Sequence, residues 1–356
     1  MTNFFRKNTP LASLLFSAIV IALSGCKKDS PDTPTPQPVP SVVYAIGYEP
    51  NGANTYVAKV WKNGTATALT DGAKPAYASA VAVDGSNVYV AGSETNATNV
   101  LVAKIWKNGT ATALTDGTKS ANVSAMAVTG SDVYAAGYEV NAGNQAVAKI
   151  WKNGTATVLS DGTKSATVLA LAVAGSDVFA AGWENNSGGN YFARYWKNGT
   201  AVNLTNGAKD ADGNGITVAG ADVYVAGDEQ NAAGFYAAKI WKNGTAIPLT
   251  DGTRTARAYA VGVVGSDVYA VGYETNAAGF EVAKIWKNGT ATALTDGTKR
   301  ARALAITIVG SDVYAAGYEL SGGGVEVAKY WKNGTAVSLS DGAKAARVTG
   351  IVLGLQ

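Results

Sequence analysis

The sequence predicts an all-β domain: a ring of seven near-identical units, each a four-stranded antiparallel sheet. Three observations lead there. Trp-Lys-Asn-Gly recurs at Trp61, Trp106, Trp151, Trp196, Trp241, Trp286 and Trp331, each 45 residues after the one before. Within each period, short apolar runs alternate with turn residues, and helical periodicity is absent after the N-terminal segment. Seven such periods fill residues 42–356 without remainder, so the repeat makes one domain rather than several.

The chain before the repeats reads as an address. Arg6 and Lys7 precede an apolar run from Leu11 to Leu23, which is short for a membrane span and ends in small residues, as a secretory leader does. It closes on Leu23-Ser24-Gly25-Cys26, which resembles the lipobox of bacterial lipoproteins. That resemblance implies cleavage before Cys26 and membrane attachment through lipid on this cysteine. Lys27, rather than Asp, in the next position resembles outer-membrane sorting, and Lys28-Asp29 resembles surface-export tags. An outer-membrane lipoprotein facing the periplasm or the surface is therefore expected. Residues 27–41 carry prolines at 31, 34, 36, 38 and 40. Such a segment favours extended polyproline II and makes a tether, at about 3.1 Å per residue.

Each repeat resolves into four strands. In one unit these are expected at Asp132–Glu139, Ala146–Lys152, Thr155–Ser160 and Ala166–Val173. Asn153-Gly154 joins the middle two, and Asn-Gly suits the type I′ hairpin, which needs positive φ at both positions. Four antiparallel strands at this period match a blade of a β-propeller, so the predicted fold is a seven-bladed β-propeller. The domain opens on Val42–Glu49, a second strand, and ends on Ala346–Leu353, a first strand lacking its companions. Pairing these two ends closes the ring and removes its open edges. Neither the Gly-His and Trp-Asp pairs of WD40 repeats nor the Gly-Gly doublet of kelch repeats is present. The resemblance is to the architecture over residues 42–356.

Side-chain alternation places Glu94, Lys104 and Trp106 on one face, with Gly92 opposite Lys104. The same set recurs in every unit, except that Arg194 replaces the lysine. It reads as an ion pair between blades beneath a buried Trp, with Gly92 leaving room for the lysine. Seven equivalent carboxylates suit structure better than acid–base work, which needs groups in contrasting environments.

Composition narrows the chemistry. With no histidine and one cysteine, His-dependent nucleophile systems, the common zinc sites and an internal disulfide framework are excluded. Lys and Arg number 29 against 26 acids, which gives no strong field for nucleic acid. No cofactor is expected, and a monomer is.

Function is then sought where the repeat breaks. The loop entering each first strand ends in Lys74, Lys119, Lys164, Lys209, Arg254, Lys299 or Lys344. These form either a cationic ring at the channel mouth or ion pairs with the Asp three residues earlier (Asp71, Asp116, Asp161, Asp251, Asp296, Asp341), which also caps the turn. Three positions further on the units diverge: Tyr77, Asn122, Thr167, Asp212, Arg257, Arg302 and Arg347. With Arg300, the three arginines would make one side of the mouth basic, suiting carboxylate, sulfate or phosphate. Loops on the same rim bring Tyr56, Trp183, Tyr191, Phe235, Tyr236 and Phe280; ordinary drift at exposed positions would produce the same variation. Asp210, Asp212, Asn214 and Gly215 resemble the start of a calcium loop, but Ala221 stands where a bidentate Glu belongs.

The leading expectation is a non-catalytic, lipid-anchored binding module for an anionic glycan or a protein. The alternatives are a carbohydrate-active enzyme drawing on Tyr77, Asp210, Asp212, Glu229, Arg257 and Arg302, and a purely structural surface protein.

Overall fold

The computed structural model describes residues 42–354, so the leader, Cys26 and the tether lie outside the described residues. Within them, 28 strands in chain order, β1 to β28, assemble into seven four-stranded antiparallel sheets. Blades 2 to 7 are contiguous, at 76–113, 121–158, 166–203, 211–248, 256–293 and 301–338. Blade 1 combines β1 (Val42–Pro50), β2 (Tyr56–Lys62) and β3 (Thr65–Ala68) with β28 (Arg347–Gly354) in the order β28-β1-β2-β3. Val42 lies opposite Gly354, Tyr44 opposite Val352 and Tyr48 opposite Arg347. The last strand thus closes a seven-bladed β-propeller, as the ends of the repeat require. The unit used above has strands at Asp132–Val140, Ala146–Lys152, Thr155–Val158 and Ala166–Ala174, within two residues of expectation.

The turns explain the spacing. Asn153 and Gly154 sit at φ 49° and 84°, the left-handed pair of a type I′ hairpin. The Asn153 side chain accepts the Val133 N–H at 2.8 Å and donates to Asp132 at 2.9 Å, pinning the turn to its own sheet.

Between blades the core repeats one arrangement, a large ring set against small side chains. All seven repeat tryptophans are among the most deeply buried side chains. Trp151 of blade 3 lies against Ala80, Ala82, Ala91 and Ala103 of blade 2, and Trp106 of blade 2 against Ile46 and Ala58 of blade 1. A ring burying 150–250 Å² contributes roughly 4–6 kcal/mol gross at about 25 cal/mol per Å². The alanines supply the flat floor that such a ring needs.

Each innermost strand carries one extra residue. Register shifts between Ala78 and Ala80 in blade 2, leaving Ser79 as the bulge, and between Ala303 and Ala305 in blade 7. Gly92 lies under this bulge, where a Cβ would overlap the Tyr77 carbonyl oxygen. Its glycine therefore answers to backbone, not to the lysine opposite it. The Glu94–Lys104 ion pair also differs from expectation. Both residues belong to blade 2, so the pair is a diagonal cross-strand contact within one sheet rather than a bridge between blades. Lys59–Glu49 and Arg194–Glu184 repeat it.

Candidate functional site

One face of the ring carries the Asp-Gly-x-Lys loops and the loops between second and third strands. The two sets are sewn together. Asn276 opens one such loop, accepts the Ala278 and Phe280 N–H groups, and donates from Nδ2 to the Gly297 carbonyl at 2.8 Å. Asn51, Asn96, Asn141, Asn186 and Asn231 make the equivalent donation to Gly72, Gly117, Gly162, Gly207 and Gly252. The face is a rigid rim. Sequence reasoning misses these asparagines, although their recurrence at one place in six of the seven units is a usable signal.

The loop aspartates cap their turns. Asp116 Oδ1 accepts the Thr118 N–H and hydroxyl, both at 2.8 Å, and these bonds hold its carboxyl below the usual carboxylate range. Among the described residues, none of the pairings expected with the basic residue three positions on is an ion pair; Lys74 instead donates to Asn99 at 3.0 Å. Lys119, Lys164, Lys209, Arg254, Lys299 and Lys344 are exposed on the rim.

Four of the divergent positions, Tyr77, Arg257, Arg302 and Arg347, share one arrangement. The side chain leans onto the preceding blade, meeting the first residue of its third strand and a residue of its second strand. Arg302 forks onto Glu281 of blade 6 at 2.6 and 2.7 Å, with its guanidinium 4.8 Å from the Tyr273 ring. Arg347 does the same with Glu326 and Tyr318 of blade 7. Arg257 meets Asp212 at 3.1 Å and the fully buried Asp228 at 3.3 Å, with Tyr236 stacked 4.0 Å away. Burial by itself would lower the Arg257 pKa, but the charges of Asp228 and then Asp212 hold it well above the ordinary arginine value. The basic mouth expected from these three arginines is therefore neutralised: each guanidinium is committed to a carboxylate across a blade boundary. Arg300 alone of the four is largely exposed, 3.4 Å from Glu281.

Of the positions other than these arginines, Asp212 is the partner of Arg257 and the other three carry no charge pair. Asn122 and Thr167 are buried. Tyr77 packs against Tyr56 and Tyr48 of blade 1, with centroids 5.5 and 5.1 Å apart. Burial pushes the Tyr48 phenol up to about 12, and Tyr318 likewise. On blade 4, Trp183 and Tyr191 meet edge-on at 4.6 Å. Of the calcium-like run, Asp210 accepts the Tyr191 N–H, Asp212 pairs with Arg257, and Asn214 donates to Asp228 and the Ala258 carbonyl. All three side chains are engaged with protein groups, Asp212 and Asn214 through the Arg257–Asp228 pair, and among the described residues no group of acidic side chains is placed to hold a metal. Tyr56, Phe235 and Phe280 remain exposed on this face, at 37, 40 and 42%.

No protein-family model matches the chain, and no curated protein matches it. Among solved structures it is similar to the β-propeller domain of the Trilobed protease from Pyrococcus furiosus, described as having an open velcro topology. The TM-score is 0.51 at 9% identity, over 85% of this chain and 95% of that one. It is also similar to a Mycobacterium tuberculosis puromycin-hydrolysing peptidase, with a TM-score of 0.55 at 10% identity, over 83% of this chain and 53% of the peptidase. The chain thus matches about half the length of that enzyme. At these identities the likeness is one of fold.

Proposed function

We propose that this chain is a non-catalytic binding module, held to the outer membrane through lipid on Cys26 and presenting its looped rim to a glycan or a protein. The observation that supports this most is how the rim divides. Its inner carboxylates and guanidiniums are committed to each other across blade boundaries, whereas the aromatic rings of Tyr56, Phe235 and Phe280 stand exposed on or beside loops tied down by asparagine. Proton transfer calls for accessible groups with contrasting pKa values; exposed rings on a rigid frame suit recognition at low entropic cost. With the arginines paired, an anionic ligand would have to be met by Arg300 and the outer lysines.

The mature chain, screened on a glycan array and against cell-envelope extracts, should retain ligand without altering it. Product released from any glycan or peptide in the same screen would favour a hydrolase built on the propeller. Silence in both would favour a purely structural surface protein.

A further inference from the structure

Four of the divergent positions, with their two contacts on the blade before, form comparable clusters on the rim. Three are built around an arginine and a carboxylate. One alone is made of three phenols: Tyr48 on β1, Tyr56 on β2 and Tyr77 on β4 (Ala76–Asp84). Tyr48 is buried and meets both other rings edge-on, at 5.2 and 5.1 Å. Tyr56 and Tyr77 tilt together at 42°. Tyr56 is 37% exposed, and among the described residues no cation covers the face of Tyr56 or Tyr77.

The arginine nearby is already committed. Arg347, opposite Tyr48 in the sheet, forks onto Glu326, and Lys74, at the entry to β4, donates to Asn99. Arg347 is therefore unavailable to an anion at this cluster, whereas Lys74 has no carboxylate partner among the described residues, so an anionic polymer forms one arm of the test. What the cluster offers is an aromatic surface braced from behind and a pair of phenolic hydroxyls, each able to donate and accept. Aliphatic C–H edges attracted to an aromatic face, flanked by hydroxyls, describe the surface of a sugar ring. The area is too small for a protein partner, which takes roughly 800 Å² on each side.

We propose that Tyr56 and Tyr77, buttressed by Tyr48, form a stacking subsite for an uncharged pyranose of a surface polysaccharide. This rests on the binding-module reading above. The test is affinity electrophoresis of the mature chain through gels containing a neutral β-glucan, a neutral α-mannan or an anionic alginate. At least one neutral polymer should retard the wild type; Tyr56→Ala should weaken that retardation at least tenfold, and Tyr56→Trp should restore it, with unchanged thermal midpoints. Retardation lost in Phe235→Ala/Phe280→Ala but kept in Tyr56→Ala would overturn the subsite while leaving the binding module standing. Retardation by alginate alone, or by none of the three polymers, would also overturn the subsite. New reducing ends appearing in the gel would overturn the non-catalytic reading itself.

Discussion

Arg347, on the last strand of the chain, forks onto both carboxylate oxygens of Glu326, 21 residues earlier and one blade back, with its guanidinium 4.7 Å from the Tyr318 ring. The closing strand is thus held twice, by the backbone ladder to β1 and by a charge pair to blade 7. Arg302 and Glu281 repeat the contact at the boundary before it. Where blades are so alike, such pairs distinguish one boundary from another.

Glu326→Gln leaves the Arg347 guanidinium, about four-fifths buried, without its counter-charge. A loss of roughly 2 kcal/mol is expected, between the values for exposed and buried pairs. Arg347→Leu/Glu326→Leu should recover most of it. Urea midpoints of Arg347→Leu, Glu326→Leu and the double variant, beside Glu326→Gln, test this. Additive losses would mean the two side chains are not coupled.

Gly92→Ala puts a methyl group against the Tyr77 carbonyl beneath the bulge. Because the obstacle is backbone, the cost is expected to be about 3 kcal/mol or more, in the range of severe core defects. Gly52→Ala, where a Cβ meets nothing within 4 Å, should be nearly silent. Equal thermal midpoints for the two variants would contradict the role assigned to the bulge.

On the opposite face, Asp132, Asp177, Asp222, Asp267 and Asp312 each bond a lysine and a hairpin asparagine, which lowers their pKa below the ordinary 3.8. A folded-state pKa below the unfolded value gives stability that is present above the unfolded value and is lost as pH falls through the folded one. The thermal midpoint should therefore decline below about pH 4. Substituting all five by Asn should flatten that decline, and an unchanged slope would show that these residues do not cause it. The partner lysines 152, 242, 287 and 332 are raised above 10.5, so stability should also fall once pH rises past that value.

Asn276→Ala cuts the loop carrying Phe280 from the Gly297 carbonyl and removes two caps. Local opening should become easier by about 1–2 kcal/mol, as expected for orphaned buried groups. Limited proteolysis should then nick the chain between 275 and 281, with little change in the global midpoint. Resistance equal to wild type would show that the rim is held by other means.

Much of the architecture is legible in the amino-acid sequence alone. The 45-residue period, the Asn-Gly turns and the strand left over at each end determine a closed ring, because each is a local signal and the first two recur around the whole domain. The rim is legible as a place, not as a set of contacts. The arginines are legible as rim residues but their partners on the preceding blade are not, and the register shift at Ser79 and its counterparts is equally hidden. The bulge position is Ser79, Ser124, Leu169, Asn214, Tyr259, Leu304 and Thr349 in turn, so no residue type announces it. The offset of 21 residues that separates Arg302 from Glu281 and Arg347 from Glu326 becomes meaningful only once neighbouring blades are stacked. The same alternation pairs Glu94 with Lys104 correctly, yet it cannot distinguish a contact within one sheet from a contact between two.

Ring closure is tested most directly by a disulfide between Tyr44→Cys and Val352→Cys, which face each other across β1 and β28. Directly opposed antiparallel residues lie about 4.5–5.5 Å apart at Cα, within disulfide range. In a chain beginning after Cys26, oxidation should give a monomer with an intramolecular crosslink and a raised thermal midpoint. Free thiols that do not pair, or crosslinks only between separate chains, would contradict the closed ring.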